Sequence, residues 1–72
     1  MTGTPITMAR VIAAIGANAR KDDTARMVKA LKLHPWLNTA EETERLACGE
    51  LALAHWSAYQ RAAAEARATP RR

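Results

Sequence analysis

The fold is decided by one stretch of the sequence, Leu33-His34-Pro35-Trp36-Leu37-Asn38-Thr39-Ala40-Glu41-Glu42. Proline disfavours a helical conformation in the residue before it, so Pro35 predicts that a helix ends at His34 or one residue earlier. The next helix begins soon afterwards, because two capping boxes overlap here, with a good N-cap followed three residues later by glutamate. These two pairs are Asn38 with Glu41 and Thr39 with Glu42. The segment is therefore expected to be a short connection between two helices.

Outward from this segment, the sequence predicts three helices and no strand. Alanine supplies 17 of the 72 residues, and strong helix formers dominate the rest. Helix one is expected to use Thr4 as its N-cap and Pro5 as its first residue, and to weaken at Gly16. Helix two is expected to open at Asp22 or Asp23. The predicted helices span about residues 5–18, 23–34 and 39–68, between polar tails at about 1–4 and 69–72.

The third predicted helix is long for so small a chain, roughly 40 Å at 1.5 Å per residue. It is apolar on two sides, and such a helix must be covered from two sides. Helices one and two supply one cover, and we expect a second molecule to supply the other. A closed three-helix monomer is the alternative. The predicted fold is thus a single all-α domain, a helical hairpin or three-helix unit with a long C-terminal helix, that forms a homodimer.

The sequence offers little that is typical of an enzyme. Cys48 and His55 are separated by about 10.5 Å of helical rise, far beyond the ~3 Å that a nucleophile and its base require. Glu44 shares their face, but the three lack the close spacing of zinc ligands. The three glycines are isolated, so there is no phosphate-binding loop. We expect a buried thiol at Cys48, no catalysis, no cofactor and no metal.

Hydropathy indicates a protein that works in the cytoplasm. No run approaches the ~18 apolar residues of a membrane span. The first five residues, Met1-Thr2-Gly3-Thr4-Pro5, lack the basic-then-apolar build of a signal peptide. We therefore expect no membrane partner.

Positive charge is concentrated in the first half of the chain. The net charge is +4, and residues 34–72 carry equal numbers of acids and bases. One interpretation is a DNA-binding helix-turn-helix with helix two as the recognition helix. Its phosphate contacts would be Arg20, Lys21, Arg26, Lys29 and Lys32. Asp22 and Asp23 oppose this, because they occupy the start of the recognition helix.

A second interpretation is a protein-binding surface. Trp, Tyr and Arg are the residue types most enriched at interface hot spots, and the candidates here are Trp36, Arg45, Trp56 and Tyr59. The last three lie along one side of helix three, which would be the dimer contact or a partner site. The chain has no Phe, so both tryptophans are also candidate core residues, Trp36 more strongly than Trp56.

The segment quoted at the outset, followed by Glu44-Arg45-Leu46-Ala47, resembles small helical accessory proteins of transposable Pseudomonas phages. Such proteins include anti-activators of a quorum-sensing regulator and inhibitors of pilus motors or CRISPR complexes. The resemblance implies a small, dimeric, all-helical binder of a host protein, and it transfers no functional residue. We therefore expect a non-catalytic modulator of a host protein, for example a transcriptional regulator, with an acidic surface facing basic helix two. DNA binding is the alternative.

Overall fold

Four helices make up the structure, a computed structural model that describes residues 6–68. They are α1 (Met8–Ile15), α2 (Lys21–Leu33), α3 (Ala40–Ala54) and α4 (Trp56–Ala68), with a 3-10 turn at Pro35–Leu37 between α2 and α3. The described range contains no strand, so the all-α prediction is confirmed.

Helix α1 is shorter than predicted at both ends. Its N-cap is Thr7, whose hydroxyl accepts a hydrogen bond from the backbone N–H of Arg10 at 3.2 Å. The predicted start at Thr4 and Pro5 lies outside the described residues, but the extended backbone of Thr7 places the first turn at Met8. The helix ends at Ile15 because Gly16 turns the chain with a φ of +89°, a conformation that glycine adopts without strain.

The connection between α2 and α3 follows the sequence closely. Helix α2 ends at Leu33, as the proline two residues later predicts. Of the two capping boxes, the structure forms the second. Thr39 Oγ1 accepts from the N–H of Glu42 at 3.1 Å, and the Glu42 carboxylate accepts from the N–H of Thr39 at 2.9 Å. The start of α2 was predicted one or two residues late, since it begins at Lys21 with the two aspartates in its first turn.

The prediction of one long third helix is wrong, because the chain leaves the helical conformation at His55. This residue has φ −129° and ψ 53°, which ends α3 and lets α4 begin in a new direction. No Gly or Pro marks the position, and both flanking segments are rich in alanine. Tertiary packing therefore overrides local propensity here. After the break, α4 packs against α1, while α3 packs against both α1 and α2.

The core is small and lies where α1 meets α3 and α4. Its fully or almost fully buried members are Val11, Cys48, Ala52, Tyr59 and Ala63. Tyr59 is 2% exposed, and its hydroxyl donates to Gly16 O at 2.5 Å and accepts from the N–H of Ala19 at 3.1 Å. Arg67 adds a second bond from α4 to the same loop, donating to Ala17 O. Helix α4 therefore holds the turn between α1 and α2.

Gly49 marks the close crossing of α3 and α2. A Cβ at this position would lie 2.8 Å from Met27 Cε and 2.8 Å from Val28 Cγ2. The buried hydroxyl of Thr24 lies in the same contact region and donates to Arg20 O at 2.8 Å. The missing side chain of Gly49 thus sets how closely the two helices approach.

We expect Gly49→Ala to lower the free energy of unfolding by about 1–2 kcal/mol. Overpacking costs about 1–3 kcal/mol, and the better helix propensity of alanine offsets up to about 1 kcal/mol of that. Chemical denaturation measures the change. In a double-mutant cycle, Gly49→Ala should cost less in a Met27→Ala background than in the original protein, because one of the two clashing groups is then gone. A variant as stable as the original protein would show that the crossing relaxes freely.

Replacing Tyr59 by Phe should lower the free energy of unfolding by about 1–3 kcal/mol. The ring volume is preserved, but the carbonyl of Gly16 and the N–H of Ala19 lose their partner in a partly buried site. Thermal unfolding followed by circular dichroism measures the loss. Amide hydrogen exchange should show faster opening at Ala19 in the variant. Equal exchange rates would contradict the role given to the hydroxyl.

Candidate functional site

The largest apolar side chains on the described surface lie together at the connection between α2 and α3. Leu33 is 64% exposed, Trp36 74% and Leu37 70%. We name these three residues the apolar corner. Large groups of this kind normally fill the core of so small a protein, which here is built largely from alanine and other small residues. Clustered exposed apolar groups are typical of interaction sites.

Hydrogen bonds fix the backbone that carries the apolar corner. The N–H of Leu37 donates to His34 O at 2.9 Å, and the N–H of Asn38 donates to Pro35 O at 3.1 Å. The Asn38 side chain then donates from Nδ2 to Leu31 O at 2.8 Å, which ties the turn to the last turn of α2. The corner is therefore a bonded turn between two helices.

The indole of Trp36 has one neighbouring ring, that of His34. Their centroids are 5.3 Å apart and their planes are inclined by 73°, an edge-to-face arrangement. Such pairs contribute about 0.5–1.5 kcal/mol beyond their buried area. The contact orients the indole but leaves most of its surface open to solvent.

The structure corrects the expected core role of Trp36. A core tryptophan needs an apolar surface opposite it, but the turn at Pro35–Leu37 lies at the outer end of the α2–α3 pair. All five residues from Leu33 to Leu37 are exposed. The sequence signal was the proline within this apolar run, since a proline-bounded turn lies at the surface more readily than a helix face.

The three residues predicted along one side of helix three do not share an exposed surface. Tyr59 is buried and bonded to the α1–α2 loop, so its placement among partner contacts is wrong. Trp56 is half-buried and packs against the core, with its ring 4.7 Å from that of Tyr59. Arg45 is exposed on α3, apart from the turn that bears Trp36. Helices α3 and α4 both pack against α1, which covers Tyr59 and part of Trp56.

The basic residues predicted as one face are all exposed, although two of them have acidic neighbours. Arg26 lies 3.9 Å from Asp23, and Lys32 pairs with Glu50 of α3 at 3.1 Å. Exposed pairs of this kind contribute about 0–1 kcal/mol. Lys29 is one helical turn before Leu33 on the same face of α2, so the basic residues run directly into the apolar corner. The full set is Arg20, Lys21, Arg26, Lys29 and Lys32.

Outside the apolar corner and the basic residues of α2, the thiol and the charged side chains described next have structural roles. Cys48 is buried, as expected, and its thiol lies 3.9 Å from Arg10 O. Burial raises the pKa of this thiol, the Glu44 carboxylate raises it further, and the Arg10 guanidinium lowers it. Arg10 and Glu44 form an ion pair at 2.6 Å that joins α1 to α3. Within residues 6–68, no three His, Cys, Asp or Glu side chains are grouped to hold a metal ion.

The two tryptophans differ in exposure, which predicts a difference in fluorescence quenching. Trp56→Phe leaves only the 74% exposed Trp36, and Trp36→Phe leaves only the half-buried Trp56. We expect acrylamide to quench the first variant several-fold more strongly than the second, because quenching requires contact with the indole. Stern–Volmer titrations of the two variants measure this. Equal quenching would contradict an open Trp36.

In the described part of the chain, no helix combines the length and the apolar character needed to cross a bilayer. Comparisons of the whole chain with protein-family models, with curated proteins and with solved structures found no match.

Proposed function

We propose that this protein is a non-catalytic binding protein that modulates a host protein by direct contact through the apolar corner. The observation that carries the proposal is the exposure of Leu33, Trp36 and Leu37 on one hydrogen-bonded turn. Tryptophan is among the residues most enriched at interface hot spots. The resemblance to phage accessory proteins agrees with this proposal, because it runs through the same turn.

Burial of the three side chains of the apolar corner would supply part of the free energy of a complex. Fully burying a large apolar side chain contributes about 1.5–3 kcal/mol, so three such residues contribute roughly 5–9 kcal/mol. Association itself costs about 4–15 kcal/mol, and a turn that is already ordered avoids part of the additional cost of ordering a loop. The corner can thus anchor a complex, but a stable complex needs further contacts. The adjoining face of α2 offers them.

DNA binding through α2 is the second candidate, favoured by the exposure of all five basic side chains. Two features oppose it. Asp22 and Asp23 occupy the first turn of α2, where a recognition helix approaches bases and phosphates. Lys32 is already paired with Glu50, so a phosphate must compete for it. The protein-binding function accounts for the apolar corner, which DNA binding leaves unexplained.

The test is affinity capture with the tagged protein from bacterial lysate that is divided into nuclease-treated and untreated halves. We expect a stoichiometric protein to be retained by the original chain and lost with Trp36→Ala. The matched control is Gln60→Ala, an exposed position on α4, which should retain the same protein. Both substitutions replace exposed side chains and should change stability by less than about 0.5–1 kcal/mol.

Three results would contradict the proposal. The first is a retained protein that is indifferent to Trp36. The second is capture that disappears with nuclease, which would favour DNA. The third is equal loss with the control variant, which would locate binding elsewhere or indicate non-specific capture. For a protein that passes, isothermal titration calorimetry with the purified partner should show that Trp36→Ala weakens binding at least tenfold, about 1.4 kcal/mol.

A further inference from the structure

We infer that the segment bound at the apolar corner is an acidic amphipathic helix of the partner, with apolar side chains for the corner and carboxylates for Arg26 and Lys29. This inference rests on the proposed function and names the chemistry of its partner. It follows from three observations, namely the position of the two cations, the pairing of the cations around them, and the small apolar area of the corner itself.

Arg26, Lys29 and Leu33 lie on one exposed face of α2, at helical spacings of three and four residues. The same face leads directly into the turn that carries Trp36. A partner that covers the corner and extends along α2 therefore meets two cations within about two helical turns, or ~11 Å. A helix with apolar residues on one stripe and acids beside it has this arrangement of groups.

The two cations on this face are available for a partner. Arg26 is 3.9 Å from Asp23, and their side chains are 83% and 64% exposed, so a bound carboxylate can replace this loose contact. The neighbouring Lys32 is engaged by Glu50 at 3.1 Å on the side towards α3. Positive charge beside the corner is thus concentrated at Arg26 and Lys29. Complementary charge at this place would set the orientation of the partner and raise its rate of association.

A second copy of the chain fits this surface poorly. A twofold contact uses the same patch on both molecules, so a contact centred on the face of α2 would bring Arg26 and Lys29 together with their own counterparts. A contact centred on the corner alone would join three apolar side chains per molecule. A stable interface normally covers about 800 Å² on each partner, or some 20–30 residues. Neither arrangement satisfies both the charge and the area.

The phosphates of DNA or of a lipid surface match the face of α2 less well than a protein segment does. Helix α2 and its ion-pair partner Glu50 together contain four cations and three carboxylates, so the net charge of this surface is only +1. Asp22 precedes Arg26 by one turn on the same face, and it would approach the phosphates of DNA or of a lipid surface. A peptide with separately placed carboxylates pairs with Arg26 and Lys29 and avoids the aspartates.

The test uses two synthetic helical peptides of about 18 residues, five turns. Both carry leucines at the same i, i+3, i+4 and i+7 positions, and they differ only in having Glu or Lys beside that stripe. The full-length protein is titrated with each peptide, and the indole N–H signals of Trp36 and Trp56 are followed by NMR. We expect the acidic peptide to shift Trp36 alone, to bind at least tenfold more tightly than the basic peptide, and to weaken as salt is added.

Charge-reversal variants distinguish an effect of the cations on α2 from an effect of the protein's net charge. Arg26→Glu with Lys29→Glu should lose at least tenfold in affinity for the acidic peptide and gain affinity for the basic one. The matched control is Arg45→Glu with Arg61→Glu, which makes the same change in net charge at exposed positions on α3 and α4. This control should keep the original preference. If both pairs of substitutions act equally, the inference is overturned.

The remaining outcomes distinguish this inference from the proposed function. If both peptides bind equally and Trp36→Ala abolishes binding, the corner is a docking site and only the acidic partner class falls. If neither peptide shifts Trp36 but a captured protein depends on Trp36, again only the inference falls. If neither peptide shifts Trp36 and no captured protein depends on Trp36, both fall. Tighter binding to duplex DNA or to anionic vesicles than to the acidic peptide would also overturn the inference.

Discussion

The buried hydroxyl of Tyr59 is the polar contact that fixes the loop between α1 and α2. It donates to Gly16 O and accepts from the N–H of Ala19, so one side chain of α4 satisfies both sides of the loop between α1 and α2. The fully buried residues around this hydroxyl are mostly small, with one valine, and larger apolar side chains pack against them from outside. The position of the α1–α2 loop therefore depends on a polar contact inside an apolar cluster. The apolar corner lies at the opposite end of α2 from this loop, and its side chains are not part of the core.

Local signals in the sequence were sufficient to predict the structure where the conformation depends on contacts within a few residues. Pro35 restricts its neighbour, and Thr39 with Glu42 satisfies the first N–H groups of α3, so both features act within a few residues and can be predicted. The break at His55 has no such local cause. It depends on how Trp56 and Tyr59 pack against distant residues, and the alanine-rich sequence around it favours a continuous helix.

The candidate site could be predicted only in part, because residue type alone does not decide whether a side chain is buried or exposed. Residue type indicated Trp36 and the cations of α2 as candidates for binding, because tryptophan and arginine are frequent at interfaces, and all of these residues are exposed. Residue type also indicated Tyr59, which the structure places in the core. A tyrosine is equally suited to both environments, since its ring packs and its hydroxyl bonds. Only the position of Gly16 and Ala19, forty or more residues earlier in the chain, decides between them.

The contacts of α4 with the first loop also govern the order in which the chain folds. Tyr59 and Arg67 bond to residues 40 to 50 positions earlier, whereas α2 and α3 meet across the short turn at Pro35–Leu37. Closing a long loop costs conformational entropy before its contacts form, so local pairs form first. We therefore expect the α2–α3 hairpin, with the apolar corner at its tip, to form before the core. Under the proposed function, a partner of the corner would meet its docking surface on the nascent hairpin as well as on the finished protein.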